Sequence, residues 1–123
     1  MRTRGKAMNA AITISDLLTR HLAELLKRFP NGLTARKGRK TYQLTSAKNG
    51  SALLEIAEER STGWKRTVSL QDGPPLYGTD RHWYGRVHTR HARHWEENLP
   101  FIPTNGQLRY YVHFVQKLEW ETR

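Results

Sequence analysis

The chain contains no cysteine. That absence excludes a disulfide framework, a thiolate nucleophile and any cysteine-ligated zinc site. Long apolar runs are missing too: nothing approaches the ~20 residues that a membrane-spanning helix requires. The basic start, Met1 to Met8, leads into Asn9–Ile14, which is too short and too polar for a signal-peptide core. A cytoplasmic protein without a membrane partner is the resulting expectation. Acidic residues are scarce, 11 Asp and Glu against 21 Lys and Arg, giving a net charge of +10. A pI near 10.4 is the electrostatic footprint of a nucleic-acid-binding protein.

At 123 residues the chain has the length of one domain with a modest core. The 3 Phe, 4 Trp and 5 Tyr bring enough burial to fold it. The charge is unevenly placed. Residues 1–40 carry ten Lys and Arg against two acids, 41–80 four against five, and 81–123 seven against four, so the excess lies at the two ends. Residues 1–12 are expected to form a flexible basic tail, and 13–123 a single α+β domain.

The periodicity predicts an amphipathic helix from about Ser15 to Phe29, with Leu17, Leu18, Leu22, Leu25, Leu26 and Phe29 in one stripe. Thr13 or Ser15 can cap it, and Pro30-Asn31-Gly32 stops it. His21 lies at the stripe's edge, where a half-buried structural histidine is expected. The basic run Thr34–Thr41 reads as a loop or the frayed start of a strand.

Tyr42–Ala47 alternates as a half-buried strand, and Asn49-Gly50 is a hairpin signal. Residues 51–60 carry a conflict, because their composition also suits a helix; the turn chemistry favours a strand over Ala52–Glu58. Trp64–Leu70 reads as a strand with Trp64, Val68 and Leu70 on one face and Arg66 sharing it. It stops at Asp72-Gly73-Pro74-Pro75.

Arg81–Trp95 reads as a strand passing into a short helix near 89–98. Leu108–Trp120 alternates so cleanly that it predicts a long central strand. The expected architecture is therefore α+β: an N-terminal amphipathic helix packed on a four- to five-stranded antiparallel sheet.

Three chemistries fit these residues. The first is nucleic-acid binding, with RNA or single-stranded DNA favoured. Guanidinium groups grip phosphates and aromatic faces stack on bases. Its candidate residues are Arg36, Lys37, Arg39 and Lys40 of the basic run, then Arg81, Tyr84, Arg86, His88, Arg90 and Arg93, then Arg109, Tyr111, His113 and Lys117. If the 81–88 segment pairs with the last strand, these side chains form one platform.

The second chemistry is a metal-independent ribonuclease, with His82, His88, His91, His94, His113 and Glu55 as candidate acids and bases and Arg86 or Arg90 as charge stabiliser. The third is a non-enzymatic adaptor whose Trp and Tyr residues build an oligomer or protein interface. A metal is not expected: His88, His91 and His94 recur at three-residue steps, but the surrounding arginines oppose a divalent cation. No motif calls for a cofactor.

Overall fold

The structure is a computed structural model that describes residues 13–48, 50–73, 83–91 and 96–123. Among the described residues helix α1 (Ile14–Arg28) comes first. Six strands follow: β1 (Leu33–Lys37), β2 (Lys40–Ser46), β3 (Ala52–Glu59), β4 (Trp64–Asp72), β5 (Trp83–His91) and β6 (Glu96–Phe101). Helix α2 (Asn105–Val115) and a two-residue strand β7 (Glu121–Thr122) complete the chain. The strands form one antiparallel sheet in the order β6-β5-β4-β3-β2-β1-β7. It is a meander whose final strand returns across α2 to the free edge of β1.

Thr13 caps α1 in a capping box: its hydroxyl accepts from the Asp16 amide at 3.0 Å, and the Asp16 carboxylate accepts from the Thr13 amide. Leu18, Leu22 and Leu26, four residues apart, are its buried ridge, while Leu17 is largely exposed. The stripe is thus narrower than the leucine count suggests. His21 is half-buried and its Nε2 has no hydrogen-bond partner. Desolvation holds its pKa below the ordinary 6.5. Below pH 6.5 the unfolded chain therefore binds a proton that the folded chain resists, and stability falls as the pH drops. Replacing His21 with leucine is expected to reduce this acid-side loss, measured as urea midpoints between pH 7.5 and 5.

The side chains facing the helices lie in rows across the strands. Leu33, Leu44, Leu54, Leu70 and Gly85 form one row, with Phe101 opposite Gly85. Ala35, Tyr42, Ile56, Val68, Val87 and Leu99 form the next. Burial in this second row decays along the sheet: Ala35, Tyr42 and Ile56 are buried, Val68 and Val87 are half-buried, and Leu99 is 51% exposed. The physical reason is coverage, since α1 packs over β2 and β3 and against α2. A Cβ at Gly85 would overlap the Phe101 ring, which lies across this glycine. Gly85→Ala is accordingly expected to cost about 1–3 kcal/mol by overpacking, read as a lowered denaturation midpoint.

Among the described residues the sheet has seven strands rather than four or five, and three local expectations change with it. Residues 108–120 are not a strand: α2 occupies Asn105–Val115. Their alternation coexists with a helical set, Leu108, Val112 and Val115, which are the residues buried. Thr104 and Gln107 form a reciprocal capping box, at 3.1 and 2.8 Å, that starts the helix.

The short helix expected near 89–98 is replaced by strand. Residues 89–91 end β5 and 96–98 begin β6, while 92–95 lie outside the described residues. Pro100 is accommodated because β6 is, among the described residues, an edge strand of the sheet.

The basic run is a hairpin, not a loop. Lys37 pairs with Lys40 across Gly38-Arg39, and Gly38 supplies the positive φ (62°) of a two-residue turn. Strand, not helix, is confirmed at 52–59. Its preceding hairpin is one residue longer than Asn49-Gly50 alone implies: the Ala47 amide donates to the Ser51 carbonyl and the Gly50 amide to the Ala47 carbonyl. Asn49 itself lies outside the described residues, as does the 1–12 tail.

Candidate nucleic-acid interface

The third helix-side row breaks the apolar pattern. Lys37 stands opposite Lys40, Lys40 opposite Glu58, Glu58 opposite Arg66, Arg66 opposite Thr89 and Thr89 opposite Glu97. This polar ladder crosses six strands at the point where the helices no longer cover the sheet. Beyond it, Trp64 pairs with His91, their rings edge to face at 4.9 Å. Trp64 is 38% exposed.

Helix α2 walls one side of the ladder with aromatics. Tyr110, 51% exposed, stacks on Phe114 at 5.5 Å and meets Tyr111 edge to face at 5.4 Å. Phe114 in turn packs on Tyr42, and the Lys37 ammonium lies 5.3 Å from the Phe114 ring centre. Between wall and sheet, Lys40, Tyr42, Glu58, Arg66, Tyr110 and Tyr111 line a cleft of ≈ 110 Å³. A second hollow of ≈ 310 Å³ adjoins it through Glu58 and Arg66 and reaches Arg60, Trp64 and Thr89. Arg60 pairs with Glu58 at 3.7 Å.

Burial and the neighbouring tyrosines and Glu58 push the Tyr42 hydroxyl up to about 12. Burial and Tyr110 raise Tyr111, against the opposing pull of Arg66. Both therefore remain neutral hydroxyls at physiological pH, able to donate to an anionic oxygen.

The open face of the sheet contributes at the same end. Arg36, Arg39, Lys65 and the carboxylate of Glu59 surround a hollow of ≈ 470 Å³ floored by Thr41 and Ala57. Arg90 follows beside Lys65. The end bearing the β1–β2 and β3–β4 hairpins is thus basic on both faces, and the β3–β4 turn closes with Gly63 at φ 95°.

The expected binding residues are therefore divided. Arg36, Tyr84, Arg86, His88 and Arg90 share the open face; Lys37 and Lys40 lie on the helix side, and Arg39 at the hairpin tip. Arg109, Tyr111, His113 and Lys117 belong to α2 and its C-terminal turn, across the sheet from Tyr84 and Arg86, so the single platform does not form. The 81–88 segment cannot pair with the last predicted strand because β5 lies between β4 and β6. Arg81 and Arg93 lie outside the described residues.

Among the acid–base candidates, Glu55 and His88 share the open face, His91 is on the helix side beside Trp64, and His113 is on α2. His82 and His94 lie outside the described residues. His88 bonds Glu96 at 2.7 Å and Arg86 donates to Asn98 at 3.2 Å. Both side chains lean towards β6, away from Glu55 on β3.

Trp64, Lys65, Arg66 and Tyr110 are among the members that sequence reasoning did not nominate. The signal was Arg66, a cation within the apolar set Trp64, Val68 and Leu70: it marks where the core ends. Among the described residues no cluster of three His, Asp or Glu could hold a metal, and no helix is long and apolar enough to cross a membrane. No protein-family model matches the chain, and the comparisons with curated proteins and with solved structures found no significant match.

Proposed function

We propose that the protein binds single-stranded nucleic acid, RNA or DNA, across the hairpin end of its sheet. The observation that carries this reading is the polar ladder Lys37–Lys40–Glu58–Arg66, margined by the exposed rings of Trp64 and Tyr110. Aromatic faces and cations alternating in one groove suit a strand whose bases are unpaired. Each base can stack while the backbone follows the charges. The cations at the Gly38-Arg39 tip and on the open face extend the track around the sheet's end. A duplex offers its phosphates but keeps its bases from the rings.

The test is binding of labelled single-stranded RNA, single-stranded DNA and duplex DNA at low and near-physiological salt, with the strands run on a gel afterwards. Salt-sensitive retention of intact single strand, tighter than duplex, is expected. Absence of binding at low salt would overturn the reading and leave the basic end for a protein partner. Shortened RNA would instead direct attention to Glu55 and His88.

A further inference from the structure

We propose that the open face carries a second site, separate from the hairpin end, that takes a guanine 5′-nucleotide. A hollow of ≈ 760 Å³ opens on this face, and that volume is in the range of small-molecule sites. The strand register builds it. Leu53 stands opposite Gln71, and Gln71 opposite Tyr84; one step along, Glu55 stands opposite Ser69, and Ser69 opposite Arg86. The floor is the short Ser69 and the amide of Gln71, which donates to Ser51 at 3.4 Å. One wall carries a half-buried carboxylate and the other a guanidinium, two strand spacings or roughly 9–10 Å apart in the backbone.

This spacing sets the ligand's chemistry. Its occupant must offer hydrogen-bond donors at one end and an anion at the other, with a flat body between. An ionised carboxylate only accepts, through two oxygens side by side. Among the common nucleobases, guanine alone presents two adjacent donors on its pairing edge, N1–H and the 2-amino group. Adenine and cytosine offer an amino group beside a bare acceptor nitrogen, and uracil one N–H between two carbonyls.

At the far wall, Arg86 is held by Asn98 at 3.2 Å through one of its five N–H groups, which leaves donors for a phosphate. The Tyr84 ring lies over Gly73, where any Cβ would collide with it. With Leu53 it provides the sides against which the base rests. The phosphate can belong to a free nucleotide or to one guanosine within a strand, and the recognition is the same for both.

The experiment is calorimetric titration of the full chain with GMP, AMP, CMP and UMP, in parallel with oligonucleotides that differ only by guanine against adenine. GMP is expected to bind about ten-fold or more tightly than AMP, the discrimination of one good bidentate pair. Glu55→Gln should erase that preference with the melting temperature unchanged, and Arg86→Ala should weaken all four nucleotides. Preference for free GMP alone would identify the nucleotide as the source, and preference carried only by the guanine strand would identify the strand.

Equal affinity for the four nucleotides and the two strands, or a guanine preference that survives Glu55→Gln, would overturn the site. So would failure of any nucleotide and of guanine discrimination while strands still bind in a salt-sensitive way. That last result leaves the hairpin-end reading standing, so the two proposals fail separately.

Discussion

Replacing Arg39, Lys65, Arg66 and Arg90 together with alanine is expected to flatten the salt dependence of single-strand binding by about 3 units of log K against log salt. Each phosphate neutralised on a single strand contributes a slope of about 0.7 through released counterion, and these four exposed cations lie at the hairpin end, two beside the Trp64 pair and one at a turn tip. The control removes the same charge elsewhere: Arg20, Lys27, Arg28 and Lys48 lie on α1 and at the β2–β3 turn. Both variants change net charge equally, so only location distinguishes them. If the control flattens the slope as much, binding is a property of net charge and the hairpin end is not the site. None of the four hairpin-end residues is buried, so unfolding midpoints measured alongside should stay close to wild type.

Trp83→Ala is expected to remove about 3–5 kcal/mol of stability, the range for truncating a buried large aromatic. That corresponds to a fall in melting temperature on the order of 10–20 °C. Trp83 is 1% exposed and sits at the start of β5, opposite Asp72. Its indole N–H donates to the Ser15 carbonyl at 3.4 Å, which ties the first turn of α1 to the sheet. Alanine would leave a cavity and release that tie together. Trp83→Phe, which keeps most of the apolar volume but not the donor, should fall between the two. Urea denaturation checks both; a loss below ~1 kcal/mol for the alanine variant would mean that Trp83 does not tie α1 to the sheet as described.

The two expectations differ in how far local sequence could have anticipated them. Trp83 alternates with Tyr84 along β5, and its inward face follows from strand period once the strand is accepted. The importance of Arg66 could not be judged this way. Its face also holds Trp64, Val68 and Leu70, and one-dimensional alternation assigns all four to the core. Only the extent of helix coverage separates Leu70, fully buried, from Arg66 and Trp64 in the open. The α2 segment failed for a related reason. Leu108, Tyr110, Val112 and Phe114 satisfy a period of two, yet Tyr110 is exposed and Val115, on the supposed opposite face, is buried. The Thr104–Gln107 box was the local sign that a period of 3.6 governs.

By itself the sequence determined the net charge of +10, the absence of cysteine chemistry, the capped helix α1, the turn at Gly50 and the alternation of β2 to β4 and of the start of β5. These are properties of single residues or of neighbours a few positions apart, and their physics is local: backbone freedom, capping and side-chain period. Tertiary structure decided the rest. It brought Lys37, Lys40, Glu58, Arg66 and Thr89 into one ladder from five separate strands. It also placed Tyr110 and Tyr111 above that ladder, and moved Arg109 and His113 away from Tyr84 and Arg86. Register and coverage are sums over pairings distant in the chain, and a row of side chains exists only once those pairings have formed.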